Sequence, residues 1–447
     1  MPPVPESKIK GVKPFGNALL SCFCLGWIYN AGGLKTLDDT DEHDDDIAAE
    51  KTRVHVGLTA RSTDSVAAPS STHTSKSTEE KPHGQIYRSS LLLAVGYLDL
   101  TNALDFPANV WNNVPIPTYA MVLMGLGGSI ALLAISIAIW DMIRCWRNIT
   151  FLRHERCHLL QNPDKRLLEQ AWLSINTREL CWETIDRFLL DFFMGITGLF
   201  VGVGTLLALR GDDHTIFLVS NILSGYLGNS FLALYALINS FWSGIMWRRA
   251  HANQAAVKRS HLDAELAGLM KRHAWRHQMY ALVNGTTLVV SGVASLVSAT
   301  MWQGYVVQVP CVLASVFVVH YWRFCLGYDR LGFWQRRGAG EMDLRGRLRG
   351  VIAVRRALER GFDDDGVVDF VGVISDGGEV GWEGVLDFLW DFGVGVQEEE
   401  KRTVDGFSEA VNGSVRAAGL RRFKYEERFL LELYGYYLRV KEGERKE

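Results

Sequence analysis

The chain has 447 residues, of which 48% are hydrophobic, and its 47 Lys and Arg nearly balance its 50 Asp and Glu. A formal charge of -3 supplies no global positive field, which removes the electrostatic basis for a nucleic-acid partner. Seven cysteines without regular spacing or a CxxC pair argue against a disulfide scaffold or a zinc ribbon, and mean hydropathy of +0.04 leaves the class to be decided by where the apolar residues fall.

Residues 1 to 34 are a basic N-terminus leading into a weak apolar segment, Pro14 to Leu34, read as a marginal span, a re-entrant hairpin or a surface-lying element, with a cleaved signal or a soluble or lipid-touching tail element as the alternatives. Residues 35 to 87 form a linker: seven of the nine residues from Asp38 to Asp46 are acidic, and Thr59 to Glu80 is rich in Ser, Thr and charge. With no apolar face to offset its ordering entropy, this stretch is expected to be disordered.

The transmembrane region is expected over 88 to 323, with candidate spans 89–106, 119–140, 188–209, 216–240, 279–299 and 304–322. An α-helix rises ~1.5 Å per residue, so about 20 apolar residues cross a ~30 Å hydrocarbon core. Segment 89–106 is the weakest of these, because Asp99, Asn102 and Asp105 recur every third residue on one helical face. Tyr119 to Trp140 is the clearest, with 22 uncharged residues and aromatic ends. Phe188 to Leu209 carries Asp191 at its basic entrance and the close-packing pair Gly198 and Gly202.

Ile216 to Trp247 holds no Asp, Glu, Lys or Arg in 32 residues, yet Asn221, Asn229 and Asn239 interrupt it. Those amides need partners that lipid cannot provide, so this helix is expected to pack as the returning arm of a hairpin with 188–209. Gln278 to Trp322 is free of the same four residue types for 45 residues, enough for two crossings with a turn near Trp302 to Gly304. The fold class is therefore all-α, a polytopic helical transmembrane bundle of five or six spans.

Eight Lys or Arg lie in 141–187 and seven in 248–276, against one in 210–215 and none in 300–304. The positive-inside rule puts these basic stretches and the C-terminal region in the cytosol. Residues 324 to 447 are expected to form a cytosolic, mainly helical domain or tail. It includes a basic amphipathic stretch with Arg345, Arg347 and Arg349 and a helix over Tyr425 to Val440. Glu442 to Glu447 carries no retention or peroxisomal address, which leaves a secretory-route membrane, endoplasmic reticulum or plasma membrane, as the default location.

Chemistry is sparse. His154, Cys157 and His158 lack a further ligand at regular spacing, and His251, His261, His273 and His277 are spaced too loosely to define a site, so no catalytic, cofactor or metal residues are expected. The intramembrane polar groups Asp99, Asp105, Asp191, Asn221, Asn229, Asn239 and Asn284 are the candidates for a polar path or for interhelical bonds. Arg248, Arg249, Arg345, Arg347 and Arg349 are the candidates for anionic-lipid contact. Membrane lipids, a protein partner at the C-terminal region and a second copy of the chain are the partners considered. The two functional readings are a membrane-organising or tethering protein and, as the alternative, a small-solute or ion transporter or channel; no enzyme chemistry stands out.

Overall fold

In the computed structural model the described residues are 86–89, 105–106, 110, 116–161, 167–335, 344–360, 385, 389 and 404–445. The apolar segment 14–34, nearly all of the linker 35–87, and span 89–106 with Asp99, apart from Ser89, Asp105 and Phe106, lie outside them. So does nearly all of 361–403.

Five long helices dominate the described residues: α1 (Thr118–Gln161), α2 (Leu167–Arg210), α3 (His214–Arg259), α4 (Ala264–Ser298) and α5 (Gln303–Leu326). Each contains a window apolar enough to cross a bilayer. Large apolar side chains face outward along them, with Leu133 68%, Leu237 64% and Phe317 74% exposed. In water such faces would be unsupported; in a bilayer they are the lipid-contacting surface. The protein is an integral, multi-pass membrane protein.

The helices are longer than the hydrophobic runs that define them. α1 continues 21 residues past Trp140 and α2 begins 21 residues before Phe188, each ~30 Å of helix outside the apolar zone. The basic stretches 141–187 and 248–276 are thus mostly helix extensions rather than loops. Short turns reverse the chain on the other side of the bilayer: Gly211 to Asp213, where the Asp213 side chain accepts from the Thr215 amide at 2.8 Å as an N-cap, and Ala299 to Trp302.

Sequential helices are neighbours. Glycine sets the spacing between α2 and α3: a Cβ on Gly204 would come within 2.7 Å of the Ser224 amide nitrogen, and Ser220 Oγ donates to the Gly204 carbonyl at 2.7 Å. Gly198 and Gly202 turn instead toward α1, against Ala131 and Gly128. Small residues on both faces of α2 therefore let two backbones approach it closely.

Three π-helical segments interrupt these helices, Glu183–Leu189 in α2, Ile222–Gly228 in α3 and Trp322–Leu326 in α5. Such segments shift the register and leave carbonyls for other donors. In α3, Asn229 Nδ2 donates to the Gly225 carbonyl at 2.8 Å, and Thr197 Oγ1 of α2 donates to that of Gly228 at 3.1 Å.

Outside the bilayer, β1 (Ile86–Arg88) pairs antiparallel with β2 (Asp329–Leu331), an exception to the helical structure of the other described residues. Helix α6 (Leu344–Arg360) buries Leu344, Leu348, Val351 and Ile352 on one side and packs on α7 (Val404–Glu444). α7 is longer than the expected 425–440 helix and breaks at Gly419, whose φ of 72° suits glycine. It lies against the extramembrane parts of α2, α3 and α4.

Candidate functional site

The polar interior has three layers. The deepest joins α2, α3 and α4. Asp186 Oδ1 accepts from Asn239 Nδ2 at 2.6 Å, and its Oδ2 accepts from Trp242 Nε1 at 2.7 Å. Asn239 Oδ1 accepts in turn from Asn284 Nδ2 at 2.9 Å. Three helices are thus linked through one buried amide.

The second layer joins α1 to α2. Arg187 donates to Asp141 Oδ1 at 2.8 Å and to Glu183 Oε2 at 2.9 Å, with all three side chains buried. Asn148 ties the layer to β1, donating to Glu183 Oε1 at 3.1 Å and to the Arg88 carbonyl at 2.8 Å. The π segment of α2 supplies Glu183, Asp186 and Arg187, so one register shift serves both layers.

The third layer lies farther along the same helix extensions and is centred on Arg330 of β2. Its guanidinium grips Glu155 of α1 with two bonds, Nη1 to Oε1 at 2.7 Å and Nη2 to Oε2 at 2.6 Å. It also bonds Glu179 of α2, through Nε to Oε1 at 3.0 Å and through Nη2 to Oε2. The rings of Tyr87, Trp172 and Phe429 surround it with centroids 5.1 to 5.4 Å from Cζ. Burial alone would pull the Arg330 guanidinium down, but Glu155 and Glu179 hold it well above its ordinary value, so it stays charged.

Tyr328 connects this centre to α7. Its hydroxyl lies 2.8 Å from Glu179 Oε1 and 3.2 Å from Glu432 Oε2, and Arg178 Nη2 donates to Glu432 Oε2 at 2.7 Å. A bidentate, aromatic-clad arginine is what a buried carboxylate pair requires: the carboxylates are costly to desolvate and are compensated only by close, multiply bonded charge.

Beside Glu432 a cavity of about 30 Å³ opens between α3, α4 and α7. Arg249 and Asn253 of α3, His273 and His277 of α4, and Tyr436 of α7 line it. His273 Nε2 and His277 Nε2 are 3.2 Å apart, and both rings are buried. The two histidines, set aside on spacing, are adjacent because they lie one helical turn apart on α4, and Glu432, from the far end of the chain, joins them.

The expected polar residues are distributed, not gathered into one path among the described residues. Asn239 and Asn284 meet directly. Asp105 accepts from the Tyr305 hydroxyl of α5 at 2.8 Å, and Asn229 bonds within α3. Asn221 is half-buried next to Gly225, and Asp191 is fully buried with Asp141 and Arg187 as charged neighbours. Of the arginines, Arg248 is exposed beside Trp247, Arg249 lines the cavity, Arg345 and Arg349 bond to Asp263, and Arg347 is half-buried.

Glu155, Arg178, Glu179, Tyr328, Arg330 and Glu432 were not singled out by sequence reasoning. One signal was present. In 167–182, Arg178 and Glu179 fall at helical spacing within the arc of Leu168, Ala171, Trp172, Ile175 and Trp182, the face that packs inward. No protein-family model, curated protein or solved structure matches this chain.

Proposed function

We propose that this protein tethers or organises membranes from their cytosolic side, with the extramembrane helical body as its working part. One observation carries this reading. The amides and carboxylate of Asn239, Asn284 and Asp186 are occupied by contacts between α2, α3 and α4, while the same helices continue outward and hold α7. A route for a solute needs polar groups facing a shared wet space; interhelical bonding favours a rigid mount.

Charge supports the orientation. Arg144, Arg147, Arg248 and Arg272 flank the exposed indoles of Trp140, Trp247 and Trp275, and the Arg144 guanidinium lies 5.4 Å from the Trp140 ring centroid. The opposite turns carry Arg210 against Asp212 and Asp213. This asymmetry faces the basic end, with α6, α7 and the C-terminus, to the cytosol of a secretory-route membrane.

The test is reconstitution of the full chain in liposomes. Ion and solute leakage should equal that of protein-free vesicles, while the protein clusters vesicles containing anionic lipid or changes their shape. Protein-dependent flux abolished by Asn239→Leu would replace this reading with the transport alternative. Vesicles left dispersed and unaltered at every lipid composition would overturn it. For topology, a C-terminal epitope should be reached by antibody only after the plasma membrane is permeabilised.

A further inference from the structure

We propose that His273, His277 and Glu432 bind one transition-metal ion of the zinc class, which fastens α7 to α4. This reverses the expectation that the chain holds no metal ligands. The two histidines are four residues apart on α4 and so project from one helical face, the spacing at which a helix presents two imidazoles to one ion. Their Nε2 atoms are 3.2 Å apart, close to the ~3.3 Å between two nitrogens bound to a tetrahedral zinc at ~2.0 to 2.1 Å.

The ligand atoms of all three residues lie within 4.8 Å of one another, and all three residues are buried. With the imidazoles already spaced for an ion, closure falls to the carboxylate. Glu432 arrives oriented: both of its hydrogen bonds, from Arg178 at 2.7 Å and Tyr328 at 3.2 Å, fall on Oε2 and leave Oε1 for a ligand. Outer bonds of this kind fix the direction of a metal-binding carboxylate.

Two imidazoles and a carboxylate select zinc-like ions over calcium or magnesium, which prefer all-oxygen sets. The adjoining cavity of about 30 Å³ has room for a fourth ligand of the size of water. Arg249 Nη1 and Asn253 Oδ1 are buried there without hydrogen-bond partners among the described residues. A water or hydroxide on the ion would give the Asn253 oxygen a donor, and hydroxide would also give Arg249 an acceptor.

The experiment uses the untagged full chain in detergent, stripped with a chelator and titrated with Co²⁺ and Zn²⁺. One ion per chain is expected, with a cobalt ligand-field band of tetrahedral intensity that zinc displaces. His273→Asn and His277→Asn should each weaken binding by at least about 100-fold, at or above the ~10 to 100-fold of an outer-shell change. Zinc should raise the melting temperature of the wild type and not of these variants. If both variants fail to fold, zinc-edge X-ray absorption of the loaded wild type decides, two imidazoles in the first shell being expected. No stoichiometric uptake, unchanged affinity in folded variants, or a first shell without two imidazoles would overturn the proposal. It does not rest on the tethering role, and liposome results leave it intact.

Discussion

Arg178 and Glu432 stand 254 positions apart in the chain and meet inside it, Nη2 to Oε2 at 2.7 Å, with side chains only 1% and 7% exposed. One belongs to the outward extension of a membrane helix and the other to the C-terminal helix. Their contact makes the extramembrane body continuous with the transmembrane bundle.

Removing one member of this pair strands the other charge. Arg178→Met should destabilise the protein by ~3 to 5 kcal/mol, whereas Arg178→Met combined with Glu432→Leu should recover a large part of that loss. Thermal unfolding in detergent, run as a double-mutant cycle, checks the coupling; additive losses would show that the pair contributes nothing as a pair.

Arg330 answers two carboxylates at once. Arg330→Met leaves Glu155 and Glu179 facing each other without a cation, and the expected loss is at least ~3 kcal/mol. Arg330→Lys should rescue little, because an ammonium cannot reproduce the bidentate grip or lie flat among three rings. Limited proteolysis reports the outcome, with release of α7 expected in both variants.

In the deepest layer, Asn239→Leu removes bonds to Asp186 and Asn284 together. A loss of ~1 to 3 kcal/mol is expected, the cost of leaving buried polar groups without partners. Unfolding in mixed micelles measures it. An unchanged midpoint would mean that the amide link between the three helices is dispensable.

Backbone approach gives a cleaner contrast. A Cβ on Gly304 would lie 2.5 Å from the Ser298 nitrogen and 2.7 Å from the Ala294 carbonyl, both backbone atoms of α4, whereas one on Gly125 meets nothing within 4 Å among the described residues. Gly304→Ala should therefore separate α4 from α5 and cost ~1 to 3 kcal/mol, and Gly125→Ala should be neutral or mildly stabilising. Melting temperatures of the two variants, measured side by side, decide this.

Between α6 and α7, burial pushes the Glu427 carboxyl above the usual range; Arg355 pulls it back, Glu359 raises it and Arg428 lowers it, without cancelling the shift. A raised folded value means that Glu427 contributes most below its unfolded value of about 4.3 and loses that contribution as pH rises through the folded one. Amides of α6 and α7 should therefore open more readily at pH 8 than at pH 5, after correction for intrinsic exchange. Glu427→Gln should flatten this dependence. Hydrogen exchange across that range checks both.

The sequence by itself determined the membrane class and the helical character of the bundle, because hydrocarbon demands long uncharged helices and these are visible as uncharged runs. It also exposed Asn239 and Asn284 as groups in need of partners, since a polar side chain between apolar neighbours is visible without coordinates. Only the tertiary structure decided what those partners are. Asp186 sat unnoticed beside Arg187, for its role depends on a π segment that turns neighbouring charges toward different helices. His273 and His277 were dismissed on spacing although they stand four residues apart on one face of α4, and Glu432 was not considered, because a partner brought in from α7 leaves no local pattern to read. Arg330 illustrates the same limit: its carboxylates lie 175 and 151 positions away, on α1 and α2, and meet it only once β2 is seated between those helices.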